Sequence, residues 1–181
     1  MFKMCKRYYL AYGSNLNIPQ MRHRCPTAKI IGTAEIKDYE LLFKGCGSPG
    51  ETSTKSKHRP RRQPRRKTGY YLTIEPKKGA KVPVAVWEVK QGDEANLDIY
   101  EGAPRFYYKK DMQIKCRYRK SGKTRTISAF VYIMHEDRQL GVPSAYYVNT
   151  CLDGYDSFGF DSEYIYKAIE KSLRTTKGVK K

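Results

Sequence analysis

Alternation of apolar and polar residues predicts strands along most of the chain. Runs rich in tyrosine, valine and isoleucine predict five strands, at residues 6–12, 28–36, 39–43, 70–74 and 82–89. Residues 106–119 and 124–133 flank Ser121-Gly122 and alternate apolar with polar side chains, which predicts a hairpin with one face open to water. Strands therefore dominate the predicted structure.

Helical spacing and helix-end residues place further elements between the strands. A short helix is predicted at 18–23, directly after the first strand. Asp93 can cap a second helix that runs to about Tyr100, and Gly102 is placed to end it. Glu101 therefore falls at a predicted helix C-terminus.

Two more helices are predicted toward the end of the chain. Ser144 can cap one that stops near Gly154, and residues 162–173 form an amphipathic segment. The apolar side chains of that segment, at helical spacing, are Ile165, Ile169 and Leu173. Because helices are inserted between strands without strict alternation, the pattern predicts an α+β domain built on a mixed, curled sheet with flanking helices.

The segment 45–68 interrupts the pattern, because it has no apolar period and is crowded with Gly, Ser, Pro, Lys and Arg. Between Lys55 and Lys67 it carries eight lysines or arginines and no acid, so much of the formal charge of +18 is local. We expect one domain over 1–181, in which 45–68 is a basic, flexible surface loop and 174–181 a frayed basic tail.

Composition narrows the class of protein further. Hydrophobic residues make up 39% and charged residues 30%, as in ordinary globular proteins. No run reaches the roughly 18 apolar residues of a membrane span, and the five scattered cysteines form no motif. The three histidines have no partner at metal-ligand spacing. We therefore expect a cytoplasmic protein without bound metal or membrane contact; monomer and homodimer both stay open.

The sequence Tyr-Gly-Ser-Asn at residues 12–15, named the site loop below, is the first candidate for chemistry. It follows a predicted strand and precedes a predicted helix, where backbone N–H groups can converge on an anion or a polarised carbonyl. Gly13 allows close backbone approach, and Ser14 and Asn15 add side-chain donors. The same residue types also form ordinary turns and helix caps, so the loop alone does not identify an active site.

Four segments together resemble the γ-glutamylcyclotransferase-like family in order and spacing. They are Tyr-Tyr-Leu-Ala-Tyr-Gly-Ser-Asn-Leu at 8–16, Val-Pro-Val-Ala-Val-Trp-Glu-Val at 82–89, Leu-Asp-Ile-Tyr-Glu-Gly at 97–102 and Pro-Ser-Ala-Tyr-Tyr at 143–147. The resemblance covers about 6–160 apart from the 45–68 loop. It implies a barrel-like mixed sheet and an enzyme that cleaves a small γ-glutamyl substrate to 5-oxoproline and an amine or amino acid without a cofactor.

The resemblance also implies roles for particular residues. It assigns the catalytic carboxylate, as general base and acid, to Glu101. The implied substrate contacts are Tyr9, Leu10, Ala11, Tyr12, Gly13, Ser14, Asn15 and Tyr147. Other roles stay open, because most glutamates at helix ends are solvated and strand residues can serve packing alone. Tyr146 and Tyr147 are adjacent on a helix and must face differently, so either can pack or lie at the surface.

The sequence leaves two alternative functions open. A non-catalytic relative would bind a small metabolite in the same pocket, although Glu101 is intact. A nucleic-acid-binding protein would use residues 55–67, but these lack interleaved aromatics for base stacking, so nucleic acid is not the expected partner. Cys25 and Cys116 lack the His-plus-carboxylate pattern of an activated nucleophile, and the implied reaction needs no covalent intermediate.

Overall fold

A computed structural model describes residues 6–46 and 69–178 of the chain. Within these ranges the backbone forms six strands, four α-helices and one short 3-10 helix at Ser14–Leu16. The strands and α-helices, in chain order, are β1 (Arg7–Ala11), α1 (Ile18–Arg24), β2 (Lys29–Cys46), β3 (Gly69–Val89), α2 (Gln91–Glu101), β4 (Tyr107–Tyr118), β5 (Thr124–Met134), β6 (Gln139–Leu140), α3 (Ala145–Phe158) and α4 (Glu163–Gly178).

Five strands close into a barrel. Their order is β3-β1-β5-β4-β2, and β2 pairs again with β3, so the sheet returns on itself. β1 and β5 are parallel while the other neighbours are antiparallel, and the short β6 pairs beside β2. Closure pairs the edge strands, which would otherwise present open backbone groups. The predicted α+β class with a mixed, barrel-like sheet is therefore confirmed.

β2 and β3 form one long hairpin, although four separate strands were predicted there. The predicted gap before Tyr39 is a bulge at Asp38, which has a φ of 59° and shifts the register between Lys37 and Tyr39. The Asp38 carboxylate accepts a 2.8 Å hydrogen bond from the backbone N–H of Gly79 on β3, so both strands continue past the irregularity. A side-chain bridge of this kind leaves no signal in the hydrophobic pattern.

The first residues of the predicted 45–68 loop belong to β2. Gly45 pairs with Tyr70 and Cys46 pairs with Gly69, so the hairpin ladder extends two residues into the predicted loop. The low apolar content of the segment 45–68 gave no sign of these two pairs, because the pairing uses backbone groups and needs no particular side chain. Residues 47–68, including the basic stretch 55–67, lie outside the described residues.

The second and third helices differ from prediction at one end each. Asp93 is the third residue of α2, and its carboxylate accepts from the backbone N–H of Lys90 at 3.2 Å, so it caps the helix from inside. Gly102 ends α2 as predicted, with a left-handed φ of 66°. α3 continues through Gly154, where a Cβ would lie 2.5 Å from the Leu16 Cβ; this glycine serves close packing and does not end the helix.

α4 is amphipathic as predicted, but its buried face is shifted. Ile165, Ala168 and Ser172 are fully buried, whereas Leu173 is 42% exposed. The helix runs through Gly178, so residues 174–178 are helical where a frayed tail was expected. An ion pair between Lys171 and Glu40 joins α4 to β2. Among the described helices, none is long and apolar enough to span a membrane.

Candidate active site

A cavity opens among the site loop, the end of α2 and the start of α3. It has about 370 Å³ of empty space, its open mouth included. Its lining consists of Tyr9, Tyr12, Gly13, Ser14, Asn15, Tyr71, Leu72, Tyr100, Glu101, Tyr107, Tyr132 and Tyr147. Seven of these twelve residues are tyrosines, and the set includes seven of the nine predicted site residues.

The local fold brings the site loop to Glu101. β1 ends at Ala11, and the chain then folds into the 3-10 helix, in which Leu16 N–H donates to the Gly13 carbonyl at 2.9 Å. Glu101 is the last residue of α2, because Gly102 adopts the left-handed conformation there. Two segments 86 positions apart in sequence thus meet at one wall of the cavity.

A side-chain hydrogen bond joins the two predicted motifs directly. The Asn15 amide nitrogen donates to the Glu101 carboxylate at 3.0 Å and to the Tyr9 hydroxyl at 2.9 Å. Asn15 is 3% exposed and Glu101 8% exposed, so both polar groups are held inside the protein. Glu101 is therefore a buried carboxylate with defined partners and not the solvated surface residue that its helix-end position alone favours.

Arg24, at the end of α1, holds the other side of the Asn15 amide. One guanidinium nitrogen donates to Asn15 Oδ1 at 2.6 Å and the other to Gln20 Oε1 at 2.6 Å. The guanidinium also lies 3.7 Å from the centre of the Tyr100 ring. The Tyr100 hydroxyl is in turn 3.2 Å from Ser14 Oγ.

Another part of the lining is built by tyrosines that bind backbone groups. The Leu72 N–H donates to the Tyr147 hydroxyl at 3.2 Å, and the Tyr107 hydroxyl donates to the Leu72 carbonyl at 2.8 Å. Tyr147 also approaches the site loop, since a Cβ on Gly13 would lie 3.2 Å from its hydroxyl oxygen. Of the two adjacent tyrosines, Tyr147 faces the cavity and Tyr146 is 77% exposed.

Burial sets the protonation of the cavity tyrosines. It raises the pKa of Tyr9 and of Tyr12 well above the usual value of 10, and the negative charge of Glu101 adds to both shifts. Burial likewise raises the pKa of Tyr107 and of Tyr147 well above that value. These phenols therefore remain neutral hydrogen-bonding groups at physiological pH.

Two predicted contacts lie away from the cavity surface. Leu10 is fully buried and points to the opposite face of β1 from Tyr9, because successive strand residues alternate. Ala11 offers only a methyl group, which is fully buried in the core. Neither residue is in the cavity lining, and the expected substrate contacts of Leu10 and Ala11 stay a prediction.

Cys25 and Cys116 are buried and do not line the cavity. Burial raises the pKa of Cys25 to about 12, and its thiol donates to the Asp93 carbonyl at 3.4 Å. Burial also raises the pKa of Cys116. Such thiols are poor nucleophiles at neutral pH. In the described ranges, no three His, Cys, Asp or Glu side chains are grouped so that they could hold a metal ion.

Sequence reasoning missed five lining residues and Arg24. Tyr71, Leu72, Tyr107 and Tyr132 lie on three different strands, and only the barrel closure brings them together. Tyr100 precedes Glu101 directly, so its position beside the predicted carboxylate was a usable signal. Arg24 gave no usable signal in the sequence, because an arginine at the end of a short helix is ordinarily a solvated group.

The fold and the cavity together define a class of protein. It is a closed mixed barrel with a buried carboxylate beside a Gly-Ser-Asn turn. The sequence pattern of the family described as "Gamma-glutamyl cyclotransferase, AIG2-like" matches residues 9–149. The chain belongs to this family.

Solved structures agree with the family at the level of the fold. A protein titled "Gamma-glutamyl cyclotransferase" is 25% identical with a TM-score of 0.65, and 91% of this chain covers 86% of it. An uncharacterized human protein is 27% identical with a TM-score of 0.67, over 90% of this chain and 86% of that one. A yeast γ-glutamyl cyclotransferase titled as specific to glutathione is 13% identical, with a TM-score of 0.59 over 93% and 96%. No curated protein sequence matches the chain.

Proposed function

We propose that the protein is a γ-glutamylcyclotransferase in which Glu101 moves protons while the site loop holds the γ-glutamyl group. The observation that carries the proposal is the buried Glu101 carboxylate, 3.0 Å from the Asn15 amide and inside the cavity. Membership of the family over residues 9–149 supports the same class of reaction.

The reaction is an intramolecular exchange of amide bonds. The α-nitrogen of the γ-glutamyl group attacks its own γ-carbonyl carbon and closes a five-membered lactam, and the bond from that carbon to the leaving nitrogen breaks. Starting from the α-ammonium form, the α-nitrogen gives up two protons and the leaving nitrogen gains two. The substrate supplies the nucleophile, so the enzyme's task is to fold the substrate for attack and to carry protons.

One carboxylate suffices for the proton transfers. The attacking and leaving nitrogens are bonded to the same carbon in the tetrahedral intermediate, so both come within reach of a single fixed group. Glu101 is fixed by the end of α2 on one side and by the Asn15 amide on the other. We propose that it accepts the two protons of the attacking nitrogen one after the other and passes each to the leaving nitrogen.

The charge pattern of the cavity suits a γ-glutamyl group. Among the twelve lining residues of the described chain, Glu101 is the one acid and none is basic. Its carboxylate favours the α-ammonium of the substrate, whereas the substrate α-carboxylate needs neutral donors. Backbone N–H groups can supply such donors, as can the neutral hydroxyls of Tyr9 and Tyr147, which accept hydrogen bonds from the protein.

The site loop provides the donors for the substrate oxygens. Its turn is fixed by the bonds from Leu16 N–H to Gly13 and from Asn17 N–H to Ser14, at 2.9 and 3.1 Å. The N–H groups of residues 13–15 are then the candidates to bind the α-carboxylate and the oxyanion of the tetrahedral intermediate. Tyr9, Tyr12 and Tyr147 would complete the contacts with the glutamyl group.

The proposal is tested by a panel of γ-glutamyl amino acids, γ-glutamyl amines and γ-glutamylated metabolites, since the motifs do not distinguish these leaving groups. Wild type should release 5-oxoproline and the free amine in equal amounts from at least one compound, and Glu101→Gln should lose that turnover. Wild-type turnover in Glu101→Gln would remove the proton-shuttle role. Binding across the panel without any release would instead favour a non-catalytic metabolite-binding protein.

A further inference from the structure

We infer that Arg24 is a positioning residue that fixes which end of the Asn15 amide faces Glu101, and so sets the geometry of the proposed proton-transfer group. The inference rests on the proposed function for its kinetic consequence. Its structural core, the orientation of one amide, stands on the hydrogen bonds of Arg24 and Asn15 and does not depend on turnover.

The argument begins with the ambiguity of an asparagine side chain. Its carbonyl oxygen only accepts hydrogen bonds and its NH₂ group only donates, yet the two ends have nearly the same shape. In one orientation Asn15 donates to Glu101. In the flipped orientation its oxygen would face a carboxylate oxygen, and two acceptors would meet in a buried site.

Arg24 removes that ambiguity, because a guanidinium has five donors and no acceptor. Its Nη1 lies 2.6 Å from the Asn15 oxygen, so only the oxygen can be satisfied at that place. The amide nitrogen must then point to Tyr9 and Glu101, at 2.9 and 3.0 Å. The chain of contacts from Arg24 through Asn15 to Glu101 has one consistent direction of donation.

Arg24 is itself held in place by several contacts. Its second guanidinium nitrogen donates to Gln20 at 2.6 Å, and its Cζ atom lies over the Tyr100 ring, 3.7 Å from the ring centre. The Arg24 backbone carbonyl accepts from Asn96 of α2 at 3.0 Å, which ties the end of α1 to the helix that carries Glu101. A guanidinium held by stacking and by two separate acceptors is preorganised, in contrast to a flexible surface arginine.

Substitution of Arg24 should therefore act on kcat through Asn15. A displacement of about 1 Å at a catalytic group can cost on the order of 100-fold. Arg24→Met should lower kcat by roughly 10- to 100-fold with a smaller change in KM. Arg24→Lys still presents only donors and should retain more activity than Arg24→Gln, whose amide can donate or accept and so no longer specifies the orientation.

A double-mutant cycle separates positioning from general stabilisation. If Arg24 acts through Asn15, adding Arg24→Met to Asn15→Leu should lower kcat little further, because the group to be oriented is already gone. Arg22→Met is the matched control, since Arg22 is exposed on the same helix. Fully additive losses, or Arg24→Gln equal to wild type, would overturn the inference.

A second readout does not depend on turnover. The side-chain NH₂ resonances of Asn15, assigned by their loss in Asn15→Leu, should shift in Arg24→Met and stay in place in Arg22→Met. This outcome would support the orientation role even if no γ-glutamyl compound were turned over. The absence of turnover would contradict only the proposed function. Unchanged Asn15 resonances in a folded Arg24→Met protein would overturn the positioning role itself.

Discussion

The two walls of the cavity are built in different ways. On the loop wall, formed by Ser14, Asn15 and Glu101, side chains bind other side chains, as in the 3.0 Å contact between Asn15 and Glu101. The strand wall consists of Leu72 on β3, Tyr107 on β4 and the adjoining Tyr147 from α3, and here tyrosine hydroxyls bind the Leu72 backbone. The loop wall also contains the one acid of the lining in the described residues.

This difference indicates that the loop wall carries the chemistry, while the strand wall maintains the shape of the cavity. A hydroxyl bound to backbone satisfies a buried N–H or C=O, so its loss is felt first in folding. A side chain held by other side chains can change its chemistry while the backbone stays as it is. We therefore expect substitutions in the loop wall to lower the rate at little cost in stability, and substitutions in the strand wall to do the reverse.

The largest effect is expected for Glu101→Gln. General acid–base catalysis contributes about 10²- to 10⁴-fold, so kcat should fall by roughly that factor. The free energy of unfolding should change little, because the glutamine oxygen can still accept from Asn15. Kinetics with a confirmed substrate and urea denaturation of the same preparations measure both quantities.

A matched control for this change is Glu170→Gln. Glu170 is exposed on α4, where it pairs with Arg174. Its substitution removes the same charge and should leave kcat unchanged. A similar loss of rate in both variants would mean that net charge, and not the position of Glu101, governs activity.

The second-largest effect is expected at high pH, where the buried tyrosines of the cavity should lower the stability of the fold. Tyr9, Tyr12, Tyr107 and Tyr147 have a pKa well above 10 in the folded protein, chiefly through burial. Above pH 10 the unfolded chain loses these protons while the folded chain keeps them, so stability falls as pH rises. Each tyrosine contributes about 1.4 kcal/mol per pH unit in that window.

Unfolding measured between pH 9 and 11 checks this sign. Tyr107→Phe should reduce the steepness of the alkaline loss by about one tyrosine's contribution, since one titrating group has been removed. The substitution also leaves the Leu72 carbonyl without that donor, so the comparison concerns the slope and not the absolute stability. An unchanged slope would contradict the assignment of a raised pKa to this residue.

Tyr147→Phe should show the behaviour of the strand wall. The Leu72 N–H loses the hydroxyl that accepts from it, which should destabilise the fold by about 1–3 kcal/mol. The expected rise in KM exceeds the fall in kcat, because the hydroxyl is proposed to contact the substrate without moving protons. Tyr146→Phe, at the 77% exposed neighbour, is the control and should change neither.

The smallest effect is expected at Tyr155, outside both walls. Its hydroxyl is buried and has no hydrogen-bond partner within the described residues. Removing an unsatisfied polar atom costs no hydrogen bond, so Tyr155→Phe should change the free energy of unfolding by less than about 1 kcal/mol, in the stabilising direction. A loss larger than that in thermal or urea unfolding would reveal a partner for the hydroxyl.

The sequence predicted all three residues of the loop wall as site residues, whereas in the strand wall it predicted Tyr147 and missed Leu72 and Tyr107. The site loop and the helix ending at Glu101 each carry local signals, a Gly-Ser-Asn turn and a helix stopped by Gly102. Leu72 and Tyr107 look like any residues of alternating strands, and their meeting depends on barrel closure. Long-range pairing of this kind leaves no local trace.

Other differences between prediction and structure have the same origin. The break expected before Tyr39 was a bulge, held by a bond between Asp38 and Gly79 across two strands. The helix stop expected at Gly154 was a packing contact with Leu16, far away in sequence. In both cases a residue typical of local turns serves a distant contact, which a single sequence cannot distinguish.

The central claim is that the site loop and Glu101 hold one γ-glutamyl group between them. A crystal structure of Glu101→Gln with an intact substrate tests it most directly, because the variant should bind without turnover. We predict that the γ-carbonyl and α-carboxylate oxygens meet the N–H groups of residues 13–15, with the α-nitrogen in hydrogen-bond range of residue 101. A substrate bound outside this cavity, or with its α-nitrogen turned away from residue 101, would contradict the account.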